Sequence, residues 1–275
     1  NQVSTKALFK EWNDEDEENA QYRIESGYQK MIDAIVDDCK KRGGNFLLNQ
    51  RVRQITWKKN HVKLRTEGGE EFEGAKLIIT VPLGILWLKP EEGGIQFSPA
   101  IDATLELTRK IGYGSVIKFL VQFHKPIWDG VGQGIGFFFA DQSIPTWWTQ
   151  EPKKDLLLTG WLGGPNASKY DNETDENLQH LVTSELQNAF DLDSSFLHNA
   201  IRNVLVFNWG QDAFARGAYS YPGIETDRAR IELSKPIDGV LFFAGEALYD
   251  GDTGGTVEAA LISGKKVAAE LLKIF

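Results

Sequence analysis

The sequence predicts a mixed α/β or α+β fold: a strand-then-helix unit built from two separated segments, interrupted by a unit with a mixed or antiparallel sheet and flanking helices. Two observations point to this fold. Near the C-terminus an apolar run ends at Gly245-Glu246, and a polar turn and a helix pattern from about Thr256 follow it. From about residue 83 to 234, alternating apolar and polar residues instead indicate strands.

The N-terminal region is expected to be a loop followed by a helix. Residues 1–21 are polar and acidic, which is typical of a helix end and a solvated connection. From Gly27, apolar residues recur at helical spacing, and Gly43-Gly44 predicts the end of that helix. Its Cys39 is expected to be a core residue, and a single cysteine excludes an internal disulfide.

Short strand patterns come next. Gly68-Gly69 predicts a turn among them, and Pro82 predicts the end of the last one, because proline has no amide to donate to a sheet. The predicted strands are Phe46 to Leu48, Val52 to Trp57, His61 to Thr66 and Lys76 to Val81.

The middle of the chain predicts an antiparallel sheet with large aromatic side chains and helices at its side. Strand patterns occur in SVIKFLVQF, GIGFFFA and DLLLTGWLG, and a helix is predicted from Asp175 to Phe190. GQGIG at 132–136 is interpreted as a hairpin turn, because it runs into FFFA and not into a helix. The predicted boundaries are 1–21 for a polar segment, 22–84 and 236–275 for the two-segment unit, and 85–235 for the sheet unit.

Composition excludes several classes of protein. A hydrophobic content of 41% and a charged content of 25% are those of a soluble globular protein. The net charge of −9 argues against a nucleic-acid partner, and no apolar run approaches the ~20 residues that span a bilayer. The four histidines show no metal-ligand spacing, so no metal site is predicted. With no signal-peptide pattern, we expect a cytoplasmic protein.

The C-terminal turn has the chemistry of a ligand site. Unpaired amides and the positive dipole end of a helix favour electron-rich ligand atoms, and a carboxylate such as Glu246 at a strand tip can accept hydrogen bonds from ribose-type hydroxyls. Taken alone, this stretch also fits an ordinary strand–helix unit with a loop glycine.

FFAGE at 242–246, with GTVEAALISG at 255–264, resembles the C-terminal flavin-contacting segment of the flavin-dependent amine oxidases. That family includes polyamine oxidases, monoamine oxidases and lysine-specific histone demethylases. The resemblance runs from about Tyr22 to the end of the chain. It implies that Gly245 and Glu246 contact the FAD ribose–ribityl region, and that the helix starting at Thr256 and Val257 points backbone amides at the flavin ring.

Two further motifs resemble cofactor-contacting segments of the same family. NQRVRQI is similar to the strand whose valine backbone pairs with the flavin adenine, which places that role on Val52; a strand valine taken alone is usually a packing residue. IITVPLGIL resembles the crossover at which the chain leaves the FAD domain, with Pro82 and Leu83 near the cofactor. The resemblance thus implies a partial, Rossmann-like FAD-binding domain from the two separated segments, and a substrate-binding domain between them.

Lys118 is the first candidate catalytic residue. Alternation places Ile117, Phe119, Val121 and Phe123 on one face of a strand and Lys118 on the other. A strand lysine taken alone is usually exposed. The segment is similar to the family's KIGYG-x-x-x-K pattern, which implies that Lys118 holds a water near flavin N5.

Tyr219 is the second candidate. NWGQDAFARGAYSYPG closely resembles the WxxDPxARGxYSY pattern of the histone demethylase and polyamine oxidase branches. That match implies that Trp209 packs against the flavin and that Tyr219 is one wall of an aromatic cage around the amine. Tyr221 is expected to act mainly on stability, because it lies further along the strand, which Pro222 ends. Ala218 stands where the monoamine oxidases carry a flavin-linking cysteine, so non-covalent FAD is expected. Thr256 stands where the monoamine oxidases place the second tyrosine of the cage, so a cage of the monoamine oxidase type is not expected.

No GxGxxG fingerprint occurs in the sequence. Since the family carries it at its N-terminus, the chain is expected to be the C-terminal portion of an FAD-dependent amine oxidase, with the missing N-terminal FAD-binding segment as a partner. The implied activity transfers electrons from a small-molecule amine to flavin, with O2 as acceptor. The alternatives are an amino-acid, carotenoid or porphyrinogen oxidase, and a flavin-free interaction module of the same fold.

We expect the purified 275-residue chain to be colourless and to bind FAD weakly or not at all. The reason is the lack of a pyrophosphate-cradling loop, which supplies backbone hydrogen bonds and helix-dipole stabilisation. Visible absorbance of the purified protein measures this, and a flavin-type band would contradict it.

Overall fold

A computed structural model describes residues 3–5, 24, 26–128, 135–251 and 254–274. Its helices are α1 (Gly27–Lys41), α2 (Leu83–Leu86), α3 (Asp102–Thr108), α4 (Pro165–Ser168), α5 (Asp175–Phe190), α6 (Ser194–Ala200), α7 (Thr226–Leu233) and α8 (Val257–Leu272), with 3-10 turns at Pro90–Glu92 and Glu246–Leu248. Its strands are β1 (Val52–Lys58), β2 (His61–Thr66), β3 (Glu71–Gly74), β4 (Leu77–Ile79), β5 (Gln96–Ser98), β6 (Gly112–Tyr113), β7 (Val116–Phe123), β8 (Phe137–Phe139), β9 (Thr146–Trp148), β10 (Leu157–Gly163), β11 (Ile201–Asn208), β12 (Ser220–Tyr221) and β13 (Leu241–Phe243).

The strands form two larger sheets and two short pairs. The five-stranded sheet has the order β11-β7-β10-β9-β8 and is antiparallel throughout. The four-stranded sheet has the order β3-β2-β1-β5, with β5 parallel to β1. Strands β6 and β12 pair antiparallel, whereas β4 and β13 pair parallel. The predicted mixed fold with an antiparallel sheet is therefore confirmed, and β4–β13 joins the two segments that were predicted to share a unit.

The largest core lies on one face of the five-stranded sheet. Strand β7 alternates as predicted, with Ile117, Phe119 and Val121 fully buried. Helix α5 buries one face on this sheet, and its predicted bounds are confirmed; Thr174 caps it by accepting a hydrogen bond from the Asn177 amide. The principal members of this core are Ile117, Phe119, Val121, Phe123, Trp147, Leu158, Leu162, Leu178, Val182, Leu186 and Leu197.

A second core surrounds β1, β2, β4 and β13. It brings together residues far apart in sequence, including Ala229 and Leu233 of α7. Its principal members are Ile55, Trp57, Val62, Ile79, Leu83, Leu86, Ile101, Ile111, Ala229, Leu233, Val240, Leu241 and Phe243.

Helix α1 ends where the glycine pair predicts. Gly43 has a φ of +89°, and the Gly44 amide donates to the Cys39 carbonyl at 2.9 Å. The expectation that Cys39 is a core residue is wrong. The helix buries none of its residues, its apolar Ile32 and Ile35 are exposed, and Cys39 itself is only partly buried.

The other differences concern the strands. Phe46 to Leu48 is not a strand: all three side chains are exposed, and the following Asn49 turns the chain with a φ of 59°. The strand predicted over Lys76 to Val81 is shorter, and β3 was not predicted because its charged sequence lacks the alternating pattern. Most of residues 1–21 and positions 132–134 lie outside the described residues, so the predicted N-terminal loop and hairpin turn are not described. Within the described ranges, no helix is long and apolar enough to cross a membrane.

Gly84 in α2 allows a close approach between distant segments. A Cβ at this position would lie 2.5 Å from the Ala215 carbonyl oxygen and 2.6 Å from that of Arg216. Both obstacles are backbone atoms, which cannot swing away as the end of a flexible side chain can. The glycine is therefore a packing requirement.

We expect Gly84→Ala to lower the free energy of unfolding by about 1–3 kcal/mol, the usual cost of forcing a methyl group into packed structure. The matched control is Gly264→Ala within α8, where a Cβ meets open space. That change should be neutral or should raise the free energy of unfolding by about 0.5–1 kcal/mol, because alanine is the better helix former. Urea unfolding of both variants measures this, and equal effects would contradict the packing argument.

Candidate functional site

A cavity of about 630 Å³ lies between the five-stranded sheet and the ends of β4 and β13. This volume is within the range of small-molecule and cofactor sites. The side chains that line it are mostly apolar or aromatic, and Lys118 and Glu246 are the charged ones among the described residues. The lining includes Pro82, Leu83, Tyr113, Val116, Lys118, Trp148, Trp161, Trp209, Ala218, Tyr219, Gly245 and Glu246.

Lys118 lies on the cavity face of β7. The residues directly opposite it are Trp161 on β10 and Phe207 on β11, so these side chains share its face of the sheet. The Lys118 Nζ is 5.9 Å from the centroid of the Trp148 ring, within the range of a cation–π contact. The lysine thus faces an aromatic wall, which differs from the surroundings of an ordinary surface-strand lysine.

Trp209 is held in the cavity wall by backbone contacts. Its amide donates to the Val116 carbonyl at 3.1 Å, and the Gly217 amide donates to its carbonyl at 2.8 Å. At the adjacent Gly210, a Cβ would lie 2.7 Å from both the Ser115 hydroxyl and an Asp171 carboxylate oxygen. These contacts fix the loop from 209 to 217 against the start of β7.

The two tyrosines of the AYSY segment face different spaces. Tyr219 lines the cavity, and its ring packs where a Cβ at Gly255 would lie, 3.3 Å away. The Tyr221 ring instead covers Gly112 and borders a separate depression beside Trp87. A regular strand would place both rings on one face. Strand β12 has only two residues, and Tyr219 precedes it, so that rule does not apply.

Two tyrosines in the wall stay protonated at neutral pH. Burial, together with the nearby carboxylates of Glu246 and Asp212, raises the pKa of Tyr113 to about 12. The Tyr113 hydroxyl donates to the Ala215 carbonyl at 3.1 Å. Burial also raises the pKa of Tyr219. The wall therefore presents neutral aromatic rings.

Glu246 begins a short turn at the end of β13. Before it, Gly245 donates its amide to the Ser263 hydroxyl of α8 at 3.1 Å. The Glu246 carboxylate accepts hydrogen bonds from the Ser220 amide at 3.1 Å and from the Ser220 hydroxyl at 2.7 Å. Arg230, which is buried, donates through Nε to the Ala247 carbonyl at 2.8 Å and supports the same turn.

The buried Arg230 guanidinium lies in an acidic environment. Burial lowers its pKa below the ordinary value, and the carboxylates of Asp227, Glu246 and Asp250 offset part of that effect. An arginine remains charged even after such a shift, because its unperturbed pKa is so high. A buried positive charge therefore lies beside the turn that carries Glu246.

The cavity brings together seven of the ten predicted site residues. Lys118, Tyr219, Pro82, Leu83, Trp209, Gly245 and Glu246 line it, whereas the described lining does not include Val52, Thr256 and Val257. Val52 is paired with Thr66 in the β1–β2 ladder, and Thr256 caps α8 by accepting a hydrogen bond from the Ala259 amide at 3.1 Å. The individual roles of all ten residues stay predictions.

Sequence reasoning missed Trp148, Trp161 and Ser220. The first two belong to the aromatic cluster that indicated the sheet, but their place beside Lys118 depends on the strand register, which alternation does not reveal. For Ser220 the available signal was its place between Tyr219 and Tyr221. On a regular strand its side chain would point to the opposite face from both tyrosines. Among the residues that the structure describes, no group of three His, Cys, Asp or Glu side chains could hold a metal ion.

Several curated proteins are similar in sequence. The chain is 26% identical over 271 residues to lysine-specific histone demethylase 1 homolog 3 of Arabidopsis thaliana, an alignment that covers 91% of this chain and 16% of that protein. It is 26% identical over 296 residues to probable polyamine oxidase 5 of the same organism, covering 91% and 55%. It is 24% identical to the peroxisomal N(1)-acetyl-spermine/spermidine oxidase of Bos taurus, covering 90% and 54%. The chain thus spans about half or less of these relatives.

The fold is also similar to that of solved structures. A putrescine oxidase mutant from a redesign of cofactor binding superimposes with a TM-score of 0.74 at 17% identity, over 92% of this chain and 54% of that one. At this identity the likeness concerns the fold alone. A family model described as flavin containing amine oxidoreductase matches residues 2–272. Because that match covers nearly the whole sequence, the chain belongs to the flavin-containing amine oxidoreductase family.

Proposed function

We propose that this chain forms the amine-binding and flavin-facing part of an FAD-dependent amine oxidase. The reaction oxidises an amine C–N bond with O2 as acceptor, and gives an imine, which hydrolyses to an aldehyde, and hydrogen peroxide. One observation carries the proposal: Lys118, Tyr219 and Glu246, which come from distant segments, converge on one largely apolar cavity.

The residues at the end of β13 suit the sugar part of a flavin nucleotide. Glu246 lines the cavity as an ionisable carboxylate whose free lone pairs can accept hydrogen bonds from hydroxyl groups. Pro82, Leu83 and Trp209 offer apolar and aromatic surface in the same cavity. FAD, when bound, supplies a two-electron acceptor for the oxidation.

Lys118 is proposed to act at the reacting centre. Its ammonium is held in an aromatic wall, where a positive charge acts more strongly than it does in water. From there it can orient a water by donating a hydrogen bond, and can stabilise negative charge that develops as electrons arrive. Val116 lies on the same face of β7 and also lines the cavity, so the surface next to Lys118 is apolar.

The aromatic walls are proposed to bind the amine. Tyr219 and Trp148 present neutral rings, which attract a cationic or polarised amine through their faces and exclude water from the C–N bond. A small amine of the polyamine type is the proposed substrate, in keeping with the printed names of the polyamine oxidase relatives.

The pyrophosphate-binding part of the cofactor site is proposed to come from polypeptide outside this sequence. The 275 residues contain no GxGxxG fingerprint. Exposed apolar side chains on α1 and α8, among them Ile32, Ile35, Leu261 and Ile262, offer a surface against which such a segment can pack.

The proposed function is tested on the full-length protein. We expect a flavin absorbance band at visible wavelengths, bleaching of that band by a polyamine under anaerobic conditions, and peroxide release when air is admitted. A protein without bound flavin would instead support the interaction-module alternative. Bleaching by an amino acid and not by amines would support the amino-acid oxidase alternative.

Lys118→Met in the full-length enzyme should leave folding intact and slow flavin reduction or reoxidation by roughly 10²–10³, the usual effect of removing one preorganised electrostatic group. Stopped-flow measurement of both half-reactions tests this. The matched control is Lys125→Met, because the Lys125 Nζ lies 4.0 Å from the Phe196 ring centroid, away from the cavity. Unchanged rates of both half-reactions in Lys118→Met would show that Lys118 is an ordinary surface-strand lysine with no role in the reaction.

Tyr219→Ala should raise the Michaelis constant for the amine and lower the reduction rate, since it removes a wall of the cavity. Tyr221→Ala should act mainly on stability, because its ring packs on Gly112 outside the cavity. Amine-dependent peroxide production and thermal melting of the two variants distinguish these effects. A larger kinetic effect from Tyr221→Ala would show that the cage is assigned to the wrong tyrosine.

A further inference from the structure

One hydrogen-bonded pair joins two walls of the cavity. Ser220 donates twice to the Glu246 carboxylate, from its amide at 3.1 Å to Oε1 and from its hydroxyl at 2.7 Å to Oε2. Ser220 is 5% exposed and is not among the described residues that line the cavity. Its neighbour Tyr219 does line the cavity, as does Glu246 itself.

We propose that Ser220 is a positioning residue, which fixes the Glu246 carboxylate and the Tyr219 ring at a set separation across the cavity. This inference rests on the proposed function, in which Glu246 faces the cofactor and Tyr219 faces the amine. Ser220 touches neither ligand in that scheme and acts only through its two neighbours.

The chemistry of the pair makes it a stiff connection. Hydrogen bonds to an ionised carboxylate are shorter and stronger than those between neutral groups. Two donors from one residue also fix the direction of the carboxylate plane as well as its distance. Arg230 supports the same turn, because its Nε donates to the Ala247 carbonyl at 2.8 Å.

The Tyr219 ring is held between this pair and other contacts. The Gly114 amide donates to the Tyr219 carbonyl at 3.2 Å, which holds its backbone on the side of β6. The ring itself packs on Gly255, where there is no Cβ. A shift of residue 220 toward or away from Glu246 would therefore turn the ring within the cavity.

The serine hydroxyl can be tested separately from the strand. The backbone of Ser220 pairs with Tyr113 in the β6–β12 ladder. Its backbone amide also donates one of the two hydrogen bonds to the Glu246 carboxylate. Ser220→Ala keeps both and removes only the hydroxyl bond. Its effects therefore report the orientation of the carboxylate and the ring, with the strand pairing preserved.

The first readout does not depend on activity. The full-length protein is labelled with 3-fluorotyrosine at position 219, and its fluorine resonance is recorded for wild type, Ser220→Ala, Glu246→Ala and the double variant. We expect each single change to shift or broaden the resonance. The double variant should show no more than the larger single effect, because both changes break the same bond.

The second readout is kinetic. Ser220→Ala should raise the Michaelis constant for a polyamine and the dissociation constant for FAD, each by about tenfold, the size expected for one lost hydrogen bond to a charged group. The matched control is Thr226→Val, which removes another buried hydroxyl with two hydrogen bonds, to the Lys110 carbonyl and from the Gly223 amide, outside the cavity. It should lower the melting temperature and leave both constants near wild type.

Several results would overturn the positioning role. They are an unchanged Tyr219 resonance in Ser220→Ala, additive effects in the double variant, or kinetic changes in Thr226→Val as large as those in Ser220→Ala. If the wild-type enzyme binds flavin but oxidises no amine, the proposed function fails, and the fluorine resonance alone still decides whether Ser220 positions Tyr219.

Discussion

The parallel pairing of β4 with β13 is the contact on which the cavity depends. It joins Leu77 to Leu241 and Ile79 to Phe243, residues more than a hundred positions apart. Parallel strands end at the same edge of a sheet, so the chain leaving β4 and the chain leaving β13 enter the same space. Pro82 and Leu83 follow the first strand, and Gly245 and Glu246 follow the second. A two-stranded pair thus creates half of the wall.

The five-stranded sheet supplies the other half by having two unlike faces. One face is a dense core of aliphatic and aromatic side chains against α5 and α6, which makes the strands rigid. The opposite face carries Lys118, Trp148 of β9 and Trp161 of β10. Because the core face fixes the backbone, functional groups on the other face are held to the precision of the strands, as a site on loops would not be.

The sequence predicted those parts of the fold that local patterns govern. The alternation of β7 and the bounds of α5 were visible because burial repeats every two residues on a strand and every turn on a helix. The strand predicted over Phe46 to Leu48 was wrong, because an apolar run forms a strand only where another strand pairs with it. No local sequence pattern shows whether such a partner is present. Family resemblance located Lys118 and Tyr219, whereas Trp148 and Ser220 required the register and the tertiary hydrogen bonds.

The topology of the sheet has a consequence for synthesis of the chain. Strand β7 is an interior strand, with β10 on one side and β11 on the other. Strand β11 begins at Ile201, long after β7 has left the ribosome. Until then one edge of an apolar strand stays unpaired, a condition that favours association between chains. Changes that weaken β11 should therefore reduce the yield of correctly folded protein before they affect the properties of the molecules that do fold.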